Sequence, residues 1–317
     1  MRKVMTLLLA LSLALPLSLS SAFAGEYPSK PIKIIVPSKA GGSTDTGARV
    51  FIKAAKKYWP DAKFVIKNVP GSGGQKGFEE IAKAKKDGHT IGMIFTTQVV
   101  AHVVAKRARY TLDSFHVMGN VMQDPLIVAV PKDSTITGME AFIKEAKARS
   151  LTTAVNGIGS DDFVAAKKLE AQTGVAFNLL PTKGSTEQKA MILGGHVDAS
   201  IMNLSQLHSQ HKAGTARIIA ILDDNRSEIL PEVKTATEQG FPVTMTATRG
   251  FVAPAGVAKE KLAKLDDLLA KVQKDEEFIA ECKKDVFFLL PMSGEKYLEY
   301  LQGLQAETQT FYDKNPW

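Results

Sequence analysis

Cysteine is almost missing: Cys282 is the only one in 317 residues. That excludes an internal disulfide framework, a CxxC redox pair and a cysteine-rich zinc module. Blocks of about five or more like charges are missing too, and the formal net charge is only +7. A strong footprint for nucleic acid or an anionic membrane is therefore not indicated. No G-x-S-x-G elbow occurs, which removes the usual serine-hydrolase cue. Aromatics are sparse at 7%, yet hydrophobic residues reach 44%, the fraction of a packed soluble protein rather than a disordered chain.

The one long apolar run, Thr6–Leu15, is short for a membrane span of about 20 residues. Arg2 and Lys3 precede it, Pro16 breaks it, and Ala22-Phe23-Ala24 supplies a small-x-small cleavage pattern. Residues 1–24 are therefore expected to be an export signal cut after Ala24, and the mature protein to be periplasmic. Outside the cytoplasm ATP and NAD are scarce, which argues against an enzyme that depends on them.

At about 100–200 residues per domain, the length predicts two domains. Short β-branched runs alternate with helix-period segments, predicting an α/β fold with largely parallel sheets. A first series holds strands Ile32–Val36, Phe64–Lys67 and Thr90–Phe95. A second runs from Leu126–Val130 through Leu151–Val155, Phe177–Leu180 and Ala199–Met202 to Arg217–Leu222. Amphipathic helices over Lys259–Lys274 and Glu295–Thr310 follow, with no comparable strand series between them. The expected division is 25–125 plus 252–317 for one domain and 126–251 for the other, joined by strands that cross between them.

Two loops stand out. Strand Ile32–Val36 ends in Pro37-Ser38-Lys39-Ala40-Gly41-Gly42-Ser43-Thr44-Asp45, where a glycine pair opens a helix. Val155 leads likewise into Asn156-Gly157-Ile158-Gly159-Ser160-Asp161-Asp162, with Ser160 at the expected cap. A helix N-terminus offers unpaired N–H groups and a positive dipole end to an anion. Each loop is also compatible with an ordinary capped turn. Two of them facing each other would suit a small carboxylate. Pro70-Gly71-Ser72-Gly73-Gly74-Gln75-Lys76-Gly77 fits neither phosphate-loop pattern and is read as a structural turn. His208, His211 and His196 with Asp198 lack a familiar metal spacing, so no metal is expected. Cys282, between Glu281 and Lys283 on a helix expected to be exposed, has no nearby histidine to make it a nucleophile.

Taken together, the segments Tyr27–Ile32, Gly41–Asp45, Asn68–Gly74, Lys86–Thr90, Gly157–Ser160, Lys183-Gly184, Leu193–Asp198, Leu230–Val233 and Gly250–Gly256 carry a resemblance. In this order the chain resembles the periplasmic substrate-binding proteins of tripartite tricarboxylate transporters, the TctC or Bug-type receptors. The resemblance implies a two-domain periplasmic binding protein, Venus-flytrap and type II-like, with a ligand cleft between the domains. It implies that Ser38, Lys39, Gly41, Gly42, Thr44 and Asp45 face Gly157, Gly159, Ser160 and Asp161 around a carboxylate. Thr96, Thr97 and Asp198 are implied at the cleft edge or floor. It further implies a monomer that needs no cofactor and hands its ligand to membrane permease subunits.

Three departures from the family pattern bear on the ligand. Ala40, preceded by Lys39, stands where the family usually has Pro. Phe163 stands where it often has His, with Asp161 and Asp162 adding negative charge. Thr248-Arg249-Gly250 stands where an aromatic often precedes the glycine. Lys39 or Arg249 is accordingly expected to meet a second ligand carboxylate. Two other readings remain open from sequence: a sensor subunit for a membrane kinase, and a secreted hydrolase using Asp161, Asp162 or Asp198.

Overall fold

A computed structural model describes residues 27–284 and 287–317. The export signal expected over 1–24 lies outside the described residues. The first half of the chain builds β1 (Ile32–Val36), α1 (Ser43–Tyr58), β2 (Phe64–Asn68), α2 (Gln75–Ala82), β3 (Thr90–Phe95), α3 (Gln98–Val104) and β4 (Phe115–Pro131). Next come α4 (Met139–Ala148), β5 (Thr152–Val155), α5 (Asp161–Thr173), β6 (Asn178–Pro181), α6 (Ser185–Leu193), β7 (Ala199–Asn203), α7 (Leu204–Lys212) and β8 (Ala216–Leu222). The chain closes with β9 (Thr246–Pro254), α8 (Lys259–Val272), α9 (Glu276–Lys284), β10 (Phe288–Ser293) and α10 (Gly294–Lys314).

The strands order as β2-β1-β3-β9-β4-β7-β5-β6, with β8 and β10 also pairing β4. The outer pairs of both halves are parallel, as the alternating pattern predicts. The middle is not: β9 and β4 run antiparallel to their neighbours, which corrects the expectation of a largely parallel sheet. β4 changes company along its length. Phe115–Pro125 pairs with β9, and Leu126–Pro131 pairs with β7 and β8.

Helices cover the faces because their apolar residues recur at helical spacing. Thr44, Ala48, Phe51 and Ala55 of α1 are buried on one side, and the Phe51 ring sits 4.2 Å from that of Phe251 in β9. Burying a ring of this size contributes about 2–3 kcal/mol. In α9, Phe278 and Cys282 are four apart and both face the core. Cys282 is thus buried, not exposed as its charged neighbours suggested. Among the described residues no helix is long and apolar enough to cross a membrane.

Candidate functional site

A cavity of about 640 Å³ opens where the strands of both halves end. Its wall includes Pro37 and Ser38 after β1, Phe95 and Thr96 at the end of β3, Asn156 after β5, Pro181 of β6 and Asn203 of β7. Ligands of open α/β sheets bind at such carboxyl ends. Ser38, Lys39, Gly42 and Thr44 line it from one half, Gly157 and Asp161 from the other, and Thr96 lies on it as well.

The remaining expected residues shape these loops without lining the cavity. Gly41 takes φ +77°, a conformation open to glycine, and its N–H donates to Asp45 Oδ2 at 2.9 Å. Asp45 also accepts from Arg49 at 2.9 Å and from Asn68 at 3.0 Å. Burial raises its pKa, but the bonds from Arg49, Gly41 and Asn68 outweigh burial and hold it below the usual carboxylate range. Asp45 therefore fastens the loop. Ser43 and Thr44 follow with first-turn N–H groups that have no intrahelical acceptor. In the second loop Ser160 Oγ accepts from Phe163 N at 3.0 Å, the expected cap. Gly159 lies beside Ala101 and Trp317 instead of the cavity. Thr97 is buried, with its hydroxyl 3.7 Å from Met245 Sδ.

Asp198 sits elsewhere. It precedes β7, and its carboxylate takes Arg149 at 2.9 Å and the Thr152 N–H at 2.8 Å. Asn203, at the opposite end of β7, occupies the cavity wall. The structure thus corrects the expectation for Asp198: its carboxylate fastens the strand starts, away from the cleft. The Pro70–Gln75 segment, expected to be only a structural turn, contributes to the cavity wall, as do Thr182–Glu187. His211 Nδ1 accepts from Ile218 N at 3.1 Å, a packing role.

The buried polar cluster in and behind the wall was not legible as a unit. Arg249 is 3% exposed and Asp124 fully buried, and they pair at 3.1 Å. Ser205 Oγ donates to Asp124 at 2.6 Å and Ser205 N at 3.0 Å. Burial raises the Asp124 pKa, opposed by Arg249 and Ser205. Asp161 accepts from Gln98 at 3.1 Å and from Asn203 at 3.0 Å. Burial likewise raises Asp161, opposed by Asn203, Arg249 and Gln98. Arg249 Nε and Nη1 have no partner among the described residues. A second network, Tyr297 Oη to Thr248 Oγ1 to Thr96 Oγ1, both steps 3.0 Å, fixes Thr96 at the cavity edge.

Asp162 is also buried, accepting from Asn156 N at 2.6 Å and from Gln188 at 3.0 Å. Burial first, and the neighbouring Asp161 charge second, push its carboxyl up to about 8. An acid that stays protonated when folded but ionises when unfolded makes stability fall as pH rises from about 4 to about 8. Asp162→Asn should remove that slope, so the variant gains at least about 2 kcal/mol on its parent between pH 5 and pH 8 in urea unfolding. A difference independent of pH would contradict this.

Comparison with known proteins agrees with the fold. The model of the tripartite tricarboxylate transporter family receptor, TctC, matches residues 48–308. Protein BugT of Bordetella pertussis is 31% identical over 224 residues, covering 69% of this chain and 68% of BugT. A TctC solute-binding protein from Polaromonas superposes with TM-score 0.70 at 25% identity, covering 91% of this chain and 99% of that one. MatC of Rhodopseudomonas palustris, solved with bound malate, gives TM-score 0.83 at 21% identity, covering 90% of this chain and 99% of that one. The α/β fold is that of periplasmic binding proteins. With the family model spanning most of its length, the chain belongs to the tripartite tricarboxylate transporter receptor family.

Proposed function

We propose that this protein is a periplasmic receptor that captures a small organic acid and delivers it to the membrane subunits of a tripartite transporter. The observation that carries the reading is the cavity itself. Loops from both halves of the sheet converge on it, and the N-terminus of α1 contributes Ser43 and Thr44 to its wall. Backbone donors and a positive helix end stabilise a carboxylate without needing a metal or nucleotide. The family is one of solute receptors rather than enzymes, and MatC, of the same fold, holds malate.

In this reading the mature chain starts after Ala24 and acts as a monomer. Two lobes, 25–125 with 252–317 and 126–251, close over the ligand about the strands that join them, with β4 crossing the boundary. Lys39 or Arg249 meets a second ligand carboxylate; both line the cavity. The hydrolase reading fares worse. Asp162, the carboxyl with the most suitable pKa, lies behind the wall rather than on it, and Asp198 is at the other end of β7.

Titration calorimetry on residues 25–317 with mono-, di- and tricarboxylates tests this, with the ligand recovered afterwards. Stoichiometric binding of an unchanged acid is expected. Turnover, or no heat with any acid, would count against the receptor. Dicarboxylate affinity should fall at least about tenfold when Lys39 and Arg249 are both replaced by Met.

A further inference from the structure

The segment that follows α10 joins the two halves of the molecule behind the second ligand loop. α10 itself belongs to the half built on β1 and β3, since Tyr297 and Leu301 are buried in one cluster with Ile94 of β3 and Val99 and Val100 of α3. Asn315 N closes the helix on the Phe311 and Tyr312 carbonyls at 3.0 and 3.2 Å, and Pro316 has no N–H with which to continue it. Trp317 then folds back on its own helix, with its ring 4.8 Å from that of Tyr312 and perpendicular to it. The Trp317 backbone oxygen accepts from Arg107 Nη2 at 2.9 Å, a second tie to the same half.

The same indole also meets the other half. Phe163, in the first turn of α5, is 5% exposed and lies edge-on to it at 5.8 Å. Trp317 packs against the core cluster that Phe163 shares with Val164 and Leu169 of α5. Its Nε1 stands 3.7 Å from the position of a Cβ on Gly159, within the second loop. Phe163 N donates to Ser160 Oγ at 3.0 Å, so a displacement of Phe163 is passed directly to that loop. Lys168 of α5 and Glu307 of α10 pair at 2.7 Å across the same junction.

This junction is built to be reversible. Trp317 Nε1 is buried with no acceptor among the described residues, so no directional bond keys the indole to the loop, and its desolvation offsets part of the gain from ring packing. Trp317 does not line the cavity, so whatever it does to a ligand it does through the halves.

We propose that Trp317 is a strap between the lobes: it ties the second ligand loop to α10 and sets how far the lobes stand open, and thereby ligand affinity, from outside the cavity. This rests on the reading of the cavity as a receptor cleft that closes on its ligand. The contact exists only while the loop is held against α10. Removing the ring lowers the fraction of molecules in that arrangement, and the apparent dissociation constant rises by the same factor.

Small-angle X-ray scattering of ligand-free residues 25–317 reads the opening directly. Trp317→Ala should raise the radius of gyration beyond experimental error, and Trp317→Phe, which keeps a ring, should stay with the parent. In calorimetry with malate, adipate and citrate, an acid that binds the parent should bind Trp317→Ala at least about fivefold more weakly, and Trp317→Phe within about twofold of the parent. Far-ultraviolet circular dichroism checks folding; should Trp317→Ala not fold, Trp317→Leu, also without a ring, takes its place. An unchanged radius of gyration in the folded variant would overturn the strap even if its melting temperature fell, because core packing alone accounts for such a fall. Unchanged affinity for an acid that the parent binds would overturn it as well. If the parent binds no organic acid, the receptor reading falls, and the scattering alone decides the strap.

Discussion

Replacing Arg249 with Met should cost about 3–5 kcal/mol of folding free energy near neutral pH. The substitution keeps the unbranched stem of the side chain and removes the one cation paired with Asp124 among the described residues, a carboxylate that is fully buried. Ser205 still donates twice to that carboxylate, but two neutral donors do not replace a guanidinium 3.1 Å away. The stranded Asp124 would escape by taking up a proton, so the loss should grow as pH rises from about 5 to about 7. Adding Asp124→Asn should restore at least half of the stability, since the cost lies in the unpaired charge more than in the missing contact. Urea unfolding of the three proteins at both pH values measures this. A single-variant loss below about 1 kcal/mol at neutral pH would mean that the pair contributes little.

Gly250→Val should destabilise by about 3 kcal/mol, at the upper end of overpacking effects. Gly250 sits in β9 opposite Ile94 of β3 and Asn120 of β4, with no room beside it. A Cβ there would collide with the Tyr297 ring and the Gly119 carbonyl oxygen. Tyr297 is fully buried, and its hydroxyl bonds Thr248, which in turn bonds Thr96. Pushing the ring aside therefore loosens Thr96 at the cavity edge as well as the core. The melting temperature should drop by several degrees. A melting temperature within about a degree of the parent would contradict the packing account.

What the sequence made legible is what short-range physics decides. Ile32–Val36 is an apolar run stopped by Pro37 and a glycine pair, and it forms the predicted strand. Ser160 before Asp161 and Asp162 reads as a helix start, and it caps α5. The first half of β4 was not legible. His116, Gly119, Asn120 and Gln123 interrupt its apolar pattern, and it is a strand because β9 and β10 flank it and Asn120 donates to the Leu290 carbonyl at 2.7 Å. Those partners lie more than a hundred residues away. Charge placement failed for the same reason. Nothing local says that Asp45 spends its oxygens on its own loop, or that Asp198 precedes the strand whose far end, Asn203, reaches the cavity. The burial of Cys282 is legible in its spacing from Phe278, which puts both on one helix face despite the charged neighbours Glu281 and Lys283.

The most direct test of the account is thermal unfolding of residues 25–317 and of a Gly42→Phe variant against a panel of organic acids, sugars and phosphate. Gly42 lines the cavity with φ −81°, which any residue can adopt, and the atoms nearest a Cβ there are Lys39 O at 3.4 Å and the Ser185 and Ser38 hydroxyls at 3.8 Å, so a phenylalanine placed there is expected to fill part of the cavity. An acid present at about 100 times its dissociation constant should stabilise the parent by about 2.7 kcal/mol and leave the filled variant unmoved. Stabilisation by sugars or phosphate alone, or an acid-induced shift that survives Gly42→Phe, would contradict a carboxylate site in this cavity.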